Sequence, residues 1–383
     1  MTSLPIPNTQ AQAHSLQLAQ LIKNKIVDCG GWLSFADFMQ MALYTPGLGY
    51  YSGGAKKFGA GGDFVTAPEI SPVFAQTLVH QLAQVLAETD GNVLELGAGT
   101  GRLAVDLLMA LEGIKQWPER YFILEVSAHL REIQKKTVKD NLPAHLAQCV
   151  VWLDALPEDF VGVIIGNEVL DAIPAHLIYH GQNALFERGV KFEGGFVWQD
   201  KLIEPGALLD YVKTYDLPED YLTEVNPAAN GLINSLAQSL LRGVVLLVDY
   251  GFCAREYYHP QRNLGTLMCH FQQYAHTDPL IYVGLQDLTT HVDFSAIAHA
   301  ALNAGLTLEG YCTQAQFLMN CGILDQLSRV PADDVPRYAP LAAAVQKLLS
   351  PAEMGDLFKV IALSKGIERA LIGFMSGDRS HTL

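Results

Sequence analysis

Apolar side chains follow two different spacings along the chain. Between residues 13 and 43 they recur every three or four positions, whereas from residue 92 onward short apolar runs alternate with amphipathic stretches. The first spacing predicts helices at 13–28 and 34–43, the second of which begins at a serine. The second spacing is typical of βαβ units with a parallel sheet. We therefore expect an α/β fold preceded by a helical N-terminal region.

Seven apolar runs are candidates for the strands of this sheet. They are Val93–Leu96, Tyr121–Glu125, Val150–Leu153, Gly162–Gly166, Val244–Asp249, Leu306–Tyr311 and Leu357–Leu363. The fifth is almost wholly apolar, as expected for a strand that is buried on both faces. Helices are predicted at 101–112, 128–139, 293–304 and 314–328. Together these elements predict a Rossmann-like sheet of seven mostly parallel strands with helices on both faces.

Two stretches interrupt this pattern, and we interpret them as insertions. Residues 176–230 contain short alternating segments broken by glycines, which is typical of a β-meander. Residues 252–290 are rich in His, Tyr and Gln and have little periodicity. We therefore divide the chain into an N-terminal helical region with a glycine-rich loop (1–90), the first half of the core (91–175), a β-rich insertion (176–230), the second half of the core with the insertion at 252–290 (231–365), and a C-terminal tail (366–383).

Charge and composition exclude several classes of protein. The 383 residues carry a formal net charge of −15, which argues against a general nucleic-acid binder because such proteins need a basic surface. The acidity suits a small-molecule or basic protein acceptor, although solubility alone explains it as well. We find no run of 18 apolar residues and no Arg-rich leader, so we expect a cytoplasmic protein without membrane insertion. The oligomeric state stays open, with a homodimer as one option.

The six cysteines and twelve histidines show no spacing typical of metal ligands. We expect reduced thiols and no metal site. For His270, His276 and His291, a role as a base or substrate contact and a packing or surface position both stay open.

The strongest chemical signal is the string Glu95–Gly101 (ELGAGTG), which lies between a predicted strand and a predicted helix. Glycines let the backbone approach a ligand closely, and a helix start presents unpaired N–H groups. Dinucleotide enzymes prefer G-x-G-x-x-G, whereas the spacing in this chain is G-x-G-x-G. An acid at Glu95 would repel a pyrophosphate but suits the ammonium of a methionine moiety, which favours S-adenosylmethionine. The candidate cofactor residues are Glu95, Gly97, Ala98, Gly99 and Gly101.

Two later strand ends extend the predicted cofactor site. Glu125 ends the second predicted strand, where a carboxylate can accept hydrogen bonds from both ribose hydroxyls. An ordinary exposed acid at a strand end is the alternative. We include its neighbour Val126 among the cofactor residues. Asp154 and Ala155 follow the third strand, where an acceptor and an apolar wall for adenine are often found.

Polar residues also follow the fourth predicted strand. They should face the transferable methyl group, because ligands bind outside the strand ends of open α/β sheets. Glu168 and Asp171 are candidate catalytic residues that orient a cationic or hydrogen-bonding acceptor, and Asn167 is a candidate cofactor contact. Capping of the next helix by Asn167 or Asp171 is the alternative.

Several longer strings resemble a known family. They are Gly62–Pro72 (GDFVTAPEISP), Glu125–Ser127 (EVS), Asn167–Pro174 (NEVLDAIP), Asp249–Gly251 (DYG) and Asp287–Phe294 (DLTTHVDF). In these strings the chain resembles the MidA-type S-adenosylmethionine-dependent methyltransferases, from about residue 15 to residue 365. The mitochondrial members of that family are assembly factors for respiratory complex I and methylate a protein arginine.

The resemblance implies further site residues and an activity. It places Gly62–Pro72 in the active site, so that Asp63 and Glu69 become second-choice catalytic residues and Thr66 and Pro68 cofactor contacts. For Glu69, a simple helix-start acid is the alternative. The resemblance also implies the class I methyltransferase sheet and methyl transfer to an arginine of a protein, with a respiratory-complex subunit as one acceptor. The lack of a mitochondrial presequence suggests a bacterial cytoplasmic member.

The glycine-rich segment Tyr44–Phe64 is expected to be a lid that excludes water from the site. Two other functional classes stay open. A nicotinamide-dependent oxidoreductase is disfavoured by the glycine spacing and by Glu95. A non-catalytic assembly or binding protein that keeps the cofactor site for stability is disfavoured by the intact motif.

Overall fold

The structure is a computed structural model, and it describes residues 4–53 and 66–383 of the chain. These residues form two compact units. The sheet unit consists of residues 66–169, 232–253 and 292–383, and the insertion unit consists of residues 4–53, 170–231 and 254–291. Each unit is therefore assembled from three separate chain segments.

Both units contain helices as well as strands. The helices are α1 (Thr9–Asp28), α2 (Phe35–Tyr44), α3 (Ala67–Ile70), α4 (Val73–Thr89), α5 (Arg102–Gly113), α6 (Ala128–Asn141), α7 (Ala144–Ala147), α8 (Ala207–Val212), α9 (Pro227–Ser239), α10 (Ala254–Tyr257), α11 (Phe294–Asn303), α12 (Gln314–Asn320), α13 (Ile323–Ser328) and α14 (Val335–Leu349). The strands are β1 (Leu33–Ser34), β2 (Asn92–Leu96), β3 (Tyr121–Leu124), β4 (Val150–Leu153), β5 (Phe160–Asn167), β6 (His176–His180), β7 (Leu185–Phe192), β8 (Phe196–Leu202), β9 (Tyr221–Val225), β10 (Leu240–Phe252), β11 (Met268–Phe271), β12 (Tyr274–His276), β13 (Asp287–Thr289), β14 (Val292–Asp293), β15 (Thr307–Thr313) and β16 (Phe358–Lys365). Short 3-10 helices follow at Ile372–Phe374 and Ser380–Thr382.

The sheet unit is built on one large sheet with the strand order β15-β16-β10-β5-β2-β3-β4. The strands from β10 to β4 are parallel to one another, and β16 pairs antiparallel with both β10 and β15. The predicted seven-stranded, mostly parallel sheet is therefore confirmed. The two-residue strand β14 adds to it by pairing with the end of β10.

The strand order places the carboxyl ends of β2 and β5 side by side. The chain continues from β2 to β3 and β4 on one side, and from β5 to β10 on the other. Such a reversal of strand order opens a crevice at the carboxyl ends, where ligands of open α/β sheets bind. The glycine motif follows β2, and Asn167 ends β5. Both polar segments therefore lie at this crevice.

Consecutive residues of the central strands are buried, because helices cover both faces of the sheet. Val93 and Leu94 of β2 each have 0% exposure, and so do Ile164 and Ile165 of β5. The C-terminal segment also packs on this core. The ring of Phe374 is 7% exposed and lies 5.3 Å from that of Phe317 on α12.

The insertion unit contains two smaller antiparallel sheets. The first has the order β1-β7-β6-β9, with β8 paired to β7, which agrees with the predicted β-rich insertion. Its apolar face packs with α1 and α2, whose predicted positions are also confirmed. The second sheet, β12-β11-β13, was not predicted from the sequence. In the part of the chain that the structure describes, no helix is long and apolar enough to cross a membrane.

Candidate active site

The glycine loop, Gly97–Gly101, joins β2 to α5. Gly97, Gly99 and Gly101 have φ angles of +59°, +52° and +81°, which other residues adopt only with strain. The N–H of Gly97 donates to the carbonyl of Leu124 at 3.0 Å, which ties the loop to the end of β3. Gly101 precedes α5 and has no side chain to cap it, so the first helical turn can present N–H groups to a ligand at the crevice. This backbone is suited to close approach of a ligand.

Glu95 lies on β2 directly before the glycine loop and is 2% exposed. Its Oε2 accepts a hydrogen bond from the hydroxyl of Tyr121 on β3 at 2.7 Å. Burial raises the pKa of Glu95 to about 7, the Tyr121 hydrogen bond opposes this rise, and the nearby carboxylate of Glu125 adds to it. A cation bound beside Glu95 would stabilise its ionised form.

Glu125 follows β3 and is 4% exposed. Its Oε1 accepts from the backbone N–H of Ser127 at 2.9 Å, and its Oε2 accepts from Nε2 of Gln134 at 2.9 Å. Burial raises the pKa of this carboxyl, while these hydrogen bonds and the Arg131 guanidinium act to lower it. The neighbouring Val126 side chain is 79% exposed. An oriented carboxylate and an open apolar surface therefore lie next to each other at the edge of the sheet.

Arg131 of α6 connects the ends of two strands. Its Nε donates to the carbonyl of Glu125 at 2.7 Å, and its Nη2 donates to the carbonyl of Leu153 at 2.5 Å. Its Nη1 contacts Oδ1 of Asp154 at 2.6 Å. The Asp154 side chain is 92% exposed, and Ala155 is exposed as well. The guanidinium thus holds Asp154 at the edge where Glu125 also lies.

Three residues implied by the family resemblance, Thr66, Pro68 and Glu69, lie in or beside α3. Thr66 precedes this helix, and Pro68 is buried within it. Oε1 of Glu69 accepts a hydrogen bond from the hydroxyl of Thr100 in the glycine loop. The structure therefore brings Glu69 into contact with the glycine loop. Asp63 lies outside the described residues, as does the part of the expected lid from residue 54 to residue 64.

Asn167 is the last residue of β5, and Glu168 begins the turn that follows. Glu168 has a left-handed φ of +54°, and its Oε1 accepts from Nδ2 of Asn167 at 3.0 Å. Oδ1 of Asn167 is buried and accepts no hydrogen bond from the described residues. Because a buried acceptor without a donor is unfavourable, this oxygen is suited to a donor on a bound ligand.

The buried carboxylate of Asp249 on β10 supports the same turn. It is 1% exposed, and its Oδ2 accepts from the N–H of Val169 at 3.1 Å. Its Oδ1 accepts from the N–H of Tyr250 at 2.9 Å. Asp249 thereby orients the backbone that carries Glu168.

Asp171 belongs to the insertion unit and is 5% exposed. Its carbonyl accepts from the N–H of Thr290 at 3.0 Å. Near it, the hydroxyl of Tyr51 donates to Oδ1 of Asp287 at 2.9 Å. Burial raises the pKa of Tyr51, and the charges of Asp287 and Asp171 raise it further. Asp171 therefore lies in a buried polar cluster with Tyr51 and Asp287.

The histidines His270, His276 and His291 also lie in the insertion unit. Burial lowers the pKa of both His270 and His276, which favours their neutral forms at pH 7. The backbone N–H of His291 donates to the hydroxyl of Thr266 at 3.0 Å. Within residues 4–53 and 66–383, no three His, Cys, Asp or Glu side chains are arranged to hold a metal ion.

Sequence reasoning assigned no individual role to several residues that belong to the candidate site or contact it. They are Thr100, Tyr121, Arg131, Gln134 and Asp249. For Gln134 a signal was available. It occupies the buried face of α6 between Leu130 and Val138, where helical spacing leads us to expect an apolar residue. A polar residue on such a face must have hydrogen-bond partners, which indicates a structural or functional network.

Comparison with solved structures gives a close match. The chain shares 48% identity with a Burkholderia thailandensis protein that was crystallised with S-adenosyl-homocysteine. The alignment covers 100% of both chains with a TM-score of 0.96. A native structure from the same organism matches at 47% identity with a TM-score of 0.93, again over 100% of both chains.

More distant curated relatives are mitochondrial protein arginine methyltransferases. The protein from Drosophila melanogaster, described as a homologue of that enzyme, is 26% identical over 95% of this chain and 88% of its own length. The Danio rerio protein is 27% identical over 89% of this chain and 85% of its own length.

A family model of methyltransferases, which names no acceptor, matches most of the chain. The model for S-adenosyl-L-methionine-dependent methyltransferases matches residues 73–312, which contain the glycine loop, Glu125 and the turn after β5. This confirms the cofactor expected from the glycine motif. The chain belongs to this family of S-adenosyl-L-methionine-dependent methyltransferases.

Proposed function

We propose that the protein transfers a methyl group from S-adenosylmethionine to an arginine side chain of a protein. The observation that carries this proposal is the similarity to relatives named protein arginine methyltransferases, which extends over 85% and 88% of their lengths. The net charge of −15 supports it, because an acidic surface attracts a basic protein segment. A subunit of a respiratory complex is the first acceptor to test, and the cytoplasm is the proposed compartment.

The described residues fit the cofactor. We assign Gly97, Ala98, Gly99 and Gly101 to its close approach, and Glu125 to its ribose hydroxyls. The exposed side chain of Val126 and the edge residues Asp154 and Ala155 are assigned to adenine. Glu95 is assigned to the ammonium, with Thr66, Pro68 and Asn167 as further contacts. The buried Oδ1 of Asn167, which accepts no hydrogen bond from the described residues, supports a bound donor at this point.

The acceptor must be oriented by acidic groups if it is an arginine. The cofactor supplies an activated methyl group on its sulfonium, and the chain must align a nucleophile with it. A guanidinium has a planar fork of N–H donors and a pKa above about 12, so a carboxylate can hold it and stabilise its charge. Glu168 is our first candidate because its carboxylate is oriented by Asn167 at the crevice. Asp171 is the second, with Glu69 and Asp63 after it.

The contact between Glu69 and Thr100 favours one refinement. A carboxylate bonded to the glycine loop is better placed to support the cofactor than to orient an acceptor. We therefore rank Glu69 as a support of the glycine loop first and as a catalytic residue second.

The proposal is tested by following the methyl group. The protein is incubated with S-adenosylmethionine carrying a labelled methyl group and a cell lysate, and the labelled product is identified by mass spectrometry. We expect label on arginine of one or a few proteins, and none when Glu125→Ala replaces the wild type. Label only on a lipid, a nucleic acid or a metabolite would refute the arginine acceptor. Cofactor binding without any labelled product would favour a non-catalytic assembly protein.

A further inference from the structure

Gln134 is a buried amide on the apolar face of α6. It has 0% exposure and lies between Leu130 and Val138 on the buried face of the helix. Burying an amide costs free energy unless its donors and acceptor are all used. The position of Gln134 is therefore favourable only because of the groups that surround it.

Three hydrogen bonds satisfy the Gln134 side chain. Its Nε2 donates to the carbonyl of Gly99 at 3.0 Å and to Oε2 of Glu125 at 2.9 Å. Its Oε1 accepts from Nε1 of Trp152 on β4 at 3.0 Å. The amide thus connects the glycine loop, the acid after β3 and the strand β4.

The partners also determine which way the amide faces. An indole N–H can only donate, whereas a carbonyl and an ionised carboxylate can only accept. The oxygen of Gln134 must therefore face Trp152, and its NH2 group must face Gly99 and Glu125. The glycine loop also lies close to α6, since a Cβ built on Gly101 would lie 3.2 Å from the Cα of Gln134.

We infer that Gln134 is a positioning residue, which orients the Glu125 carboxylate toward the ribose hydroxyls of the cofactor and holds Gly99 at the crevice. This inference rests on the proposed assignment of Glu125. Without the Gln134 amide, Oε2 of Glu125 loses a donor and the carboxylate can rotate about its side-chain bonds. A rotated carboxylate forms weaker hydrogen bonds to a diol, even though the backbone of β3 and α6 is unchanged.

The test is a comparison of two ligands that differ only in the diol. Dissociation constants are measured by calorimetry for S-adenosyl-homocysteine and for its 2′,3′-dideoxy analogue. In the wild type, the dissociation constant of the dideoxy analogue divided by that of S-adenosyl-homocysteine reports the strength of the hydrogen bonds to the ribose. In Gln134→Met, which keeps the size of the side chain but removes its donors, we expect this ratio to fall about tenfold, the effect of one hydrogen bond to a charged group.

The chain offers a matched control for the loss of a buried amide. Gln314 on α12 also has 0% exposure, and its Nε2 donates to the carbonyl of Leu348 at 3.1 Å. It follows β15, at the opposite end of the sheet from β3 and β4. Gln314→Met should lower the melting temperature but leave the ligand ratio unchanged. If Gln134→Met does not fold, Trp152→Phe removes the donor that orients the amide and should lower the same ratio by a smaller factor.

A second readout is the pH dependence of S-adenosyl-homocysteine binding. Burial raises the pKa of Glu125, and the hydrogen bond from Gln134 lowers it, together with those from Ser127 and Val126 and the charge of Arg131. The Glu95 carboxylate also faces this group. Gln134→Met should therefore raise the pKa of Glu125, so that affinity is lost at a higher pH on acidification than in the wild type. A change in packing alone would not move this limb of the profile.

The Glu125→Ala variant separates the two ways in which the idea can fail. If Glu125→Ala leaves the ligand ratio at its wild-type value, the assignment of Glu125 to the ribose is wrong. If Glu125→Ala abolishes the preference for the diol but a folded Gln134→Met keeps both the ratio and the pH profile of the wild type, the positioning role of Gln134 is overturned.

Discussion

The hydroxyl of Tyr121 donates a hydrogen bond of 2.7 Å to Oε2 of Glu95, and both side chains are buried in the sheet unit. The bond connects the neighbouring parallel strands β2 and β3 directly before the glycine loop. The hydrogen bond favours the ionised carboxylate, but burial outweighs it and raises the pKa of Glu95 from its ordinary value of 4.5 to about 7.

We predict that Glu95 makes the stability of the cofactor-free protein fall as the pH rises from about 4.5 to about 7. In this window the unfolded chain has released the proton while the folded protein still binds it, so the folded state holds more protons. Glu95→Gln should remove this contribution. Thermal unfolding of both proteins at several pH values should therefore show that the melting temperature of the variant increases relative to that of the wild type as the pH rises. A difference in melting temperature that does not depend on pH would contradict the prediction.

Gly99→Val should abolish cofactor binding while the sheet stays folded. A β-branched residue is strongly disfavoured at a φ of +52°. In the proposed site, its side chain would also occupy the space assigned to the cofactor. Gly113→Val is the matched control, because Gly113 ends α5 in open space. Calorimetry with S-adenosyl-homocysteine should detect binding to the control only. Normal binding to Gly99→Val would show that the cofactor lies elsewhere.

Glu168→Gln should reduce methyl transfer by about 100-fold and change the affinity for S-adenosylmethionine by less than about twofold. The amide keeps an oxygen that can accept from Nδ2 of Asn167, but it loses the charge that would hold a guanidinium. Glu158→Gln, an exposed position in the same unit, serves as the control. Rates are measured with the labelled cofactor and the identified acceptor. Equal losses of binding and transfer would assign Glu168 to the cofactor instead.

Arg131 and Asp154 should contribute unequally to the free energy of unfolding, although they form one ion pair. Asp154→Ala should lower the free energy of unfolding by less than about 1 kcal/mol, because the Asp154 side chain is 92% exposed. Arg131→Met should cost about 2–3 kcal/mol and also weaken cofactor binding, because it removes the donors to the carbonyls of Glu125 and Leu153. Chemical denaturation of both variants measures the difference. Equal effects would mean that the ion pair, and not the link between strand ends, is the stabilising contact.

Phe374→Ala should destabilise the protein by about 3–5 kcal/mol, the usual effect of removing a buried aromatic ring. The ring is 7% exposed and packs edge-on against Phe317. Met375→Ala, next to it but 77% exposed, should change the free energy of unfolding by less than about 0.5 kcal/mol. Similar values for the two variants, again from denaturation, would show that the C-terminal segment does not stabilise the core.

The large sheet could be predicted from the sequence because its strands are apolar on both faces. The run Val244–Asp249, for example, lies within β10, where Val244 to Val248 are at most 1% exposed. The sheet β12-β11-β13 could not, because its strands have three or four residues and depend on distant partners. One such partner is Glu224 of β9, whose carboxylate accepts from the N–H groups of Thr266 and Leu267. The helix α14 was also missed, since Pro340 lies inside it.

The residues of the candidate site also include some that could be predicted from the sequence and some that could not. The glycine loop and Glu125 follow predicted strands directly, so local spacing was enough to find them. Thr100 and Glu69 are 31 residues apart in the chain, and Val169 and Asp249 are 80 apart, so their contacts follow only from the packing of elements. For Gln134, the sequence predicts a place on an apolar helix face, but it does not predict the hydrogen-bond partners.

The position of β16 has a consequence for any shortened form of the protein. This strand lies between β15 and β10 and pairs with both, yet it follows the region that the family model matches, residues 73–312. A protein ending at residue 312 would leave one edge of β10 unpaired along Gly243–Tyr250, where almost every side chain is apolar. Exposed apolar edge strands pair with other copies of themselves. We therefore expect such a fragment to be collected from inclusion bodies rather than from the clear supernatant.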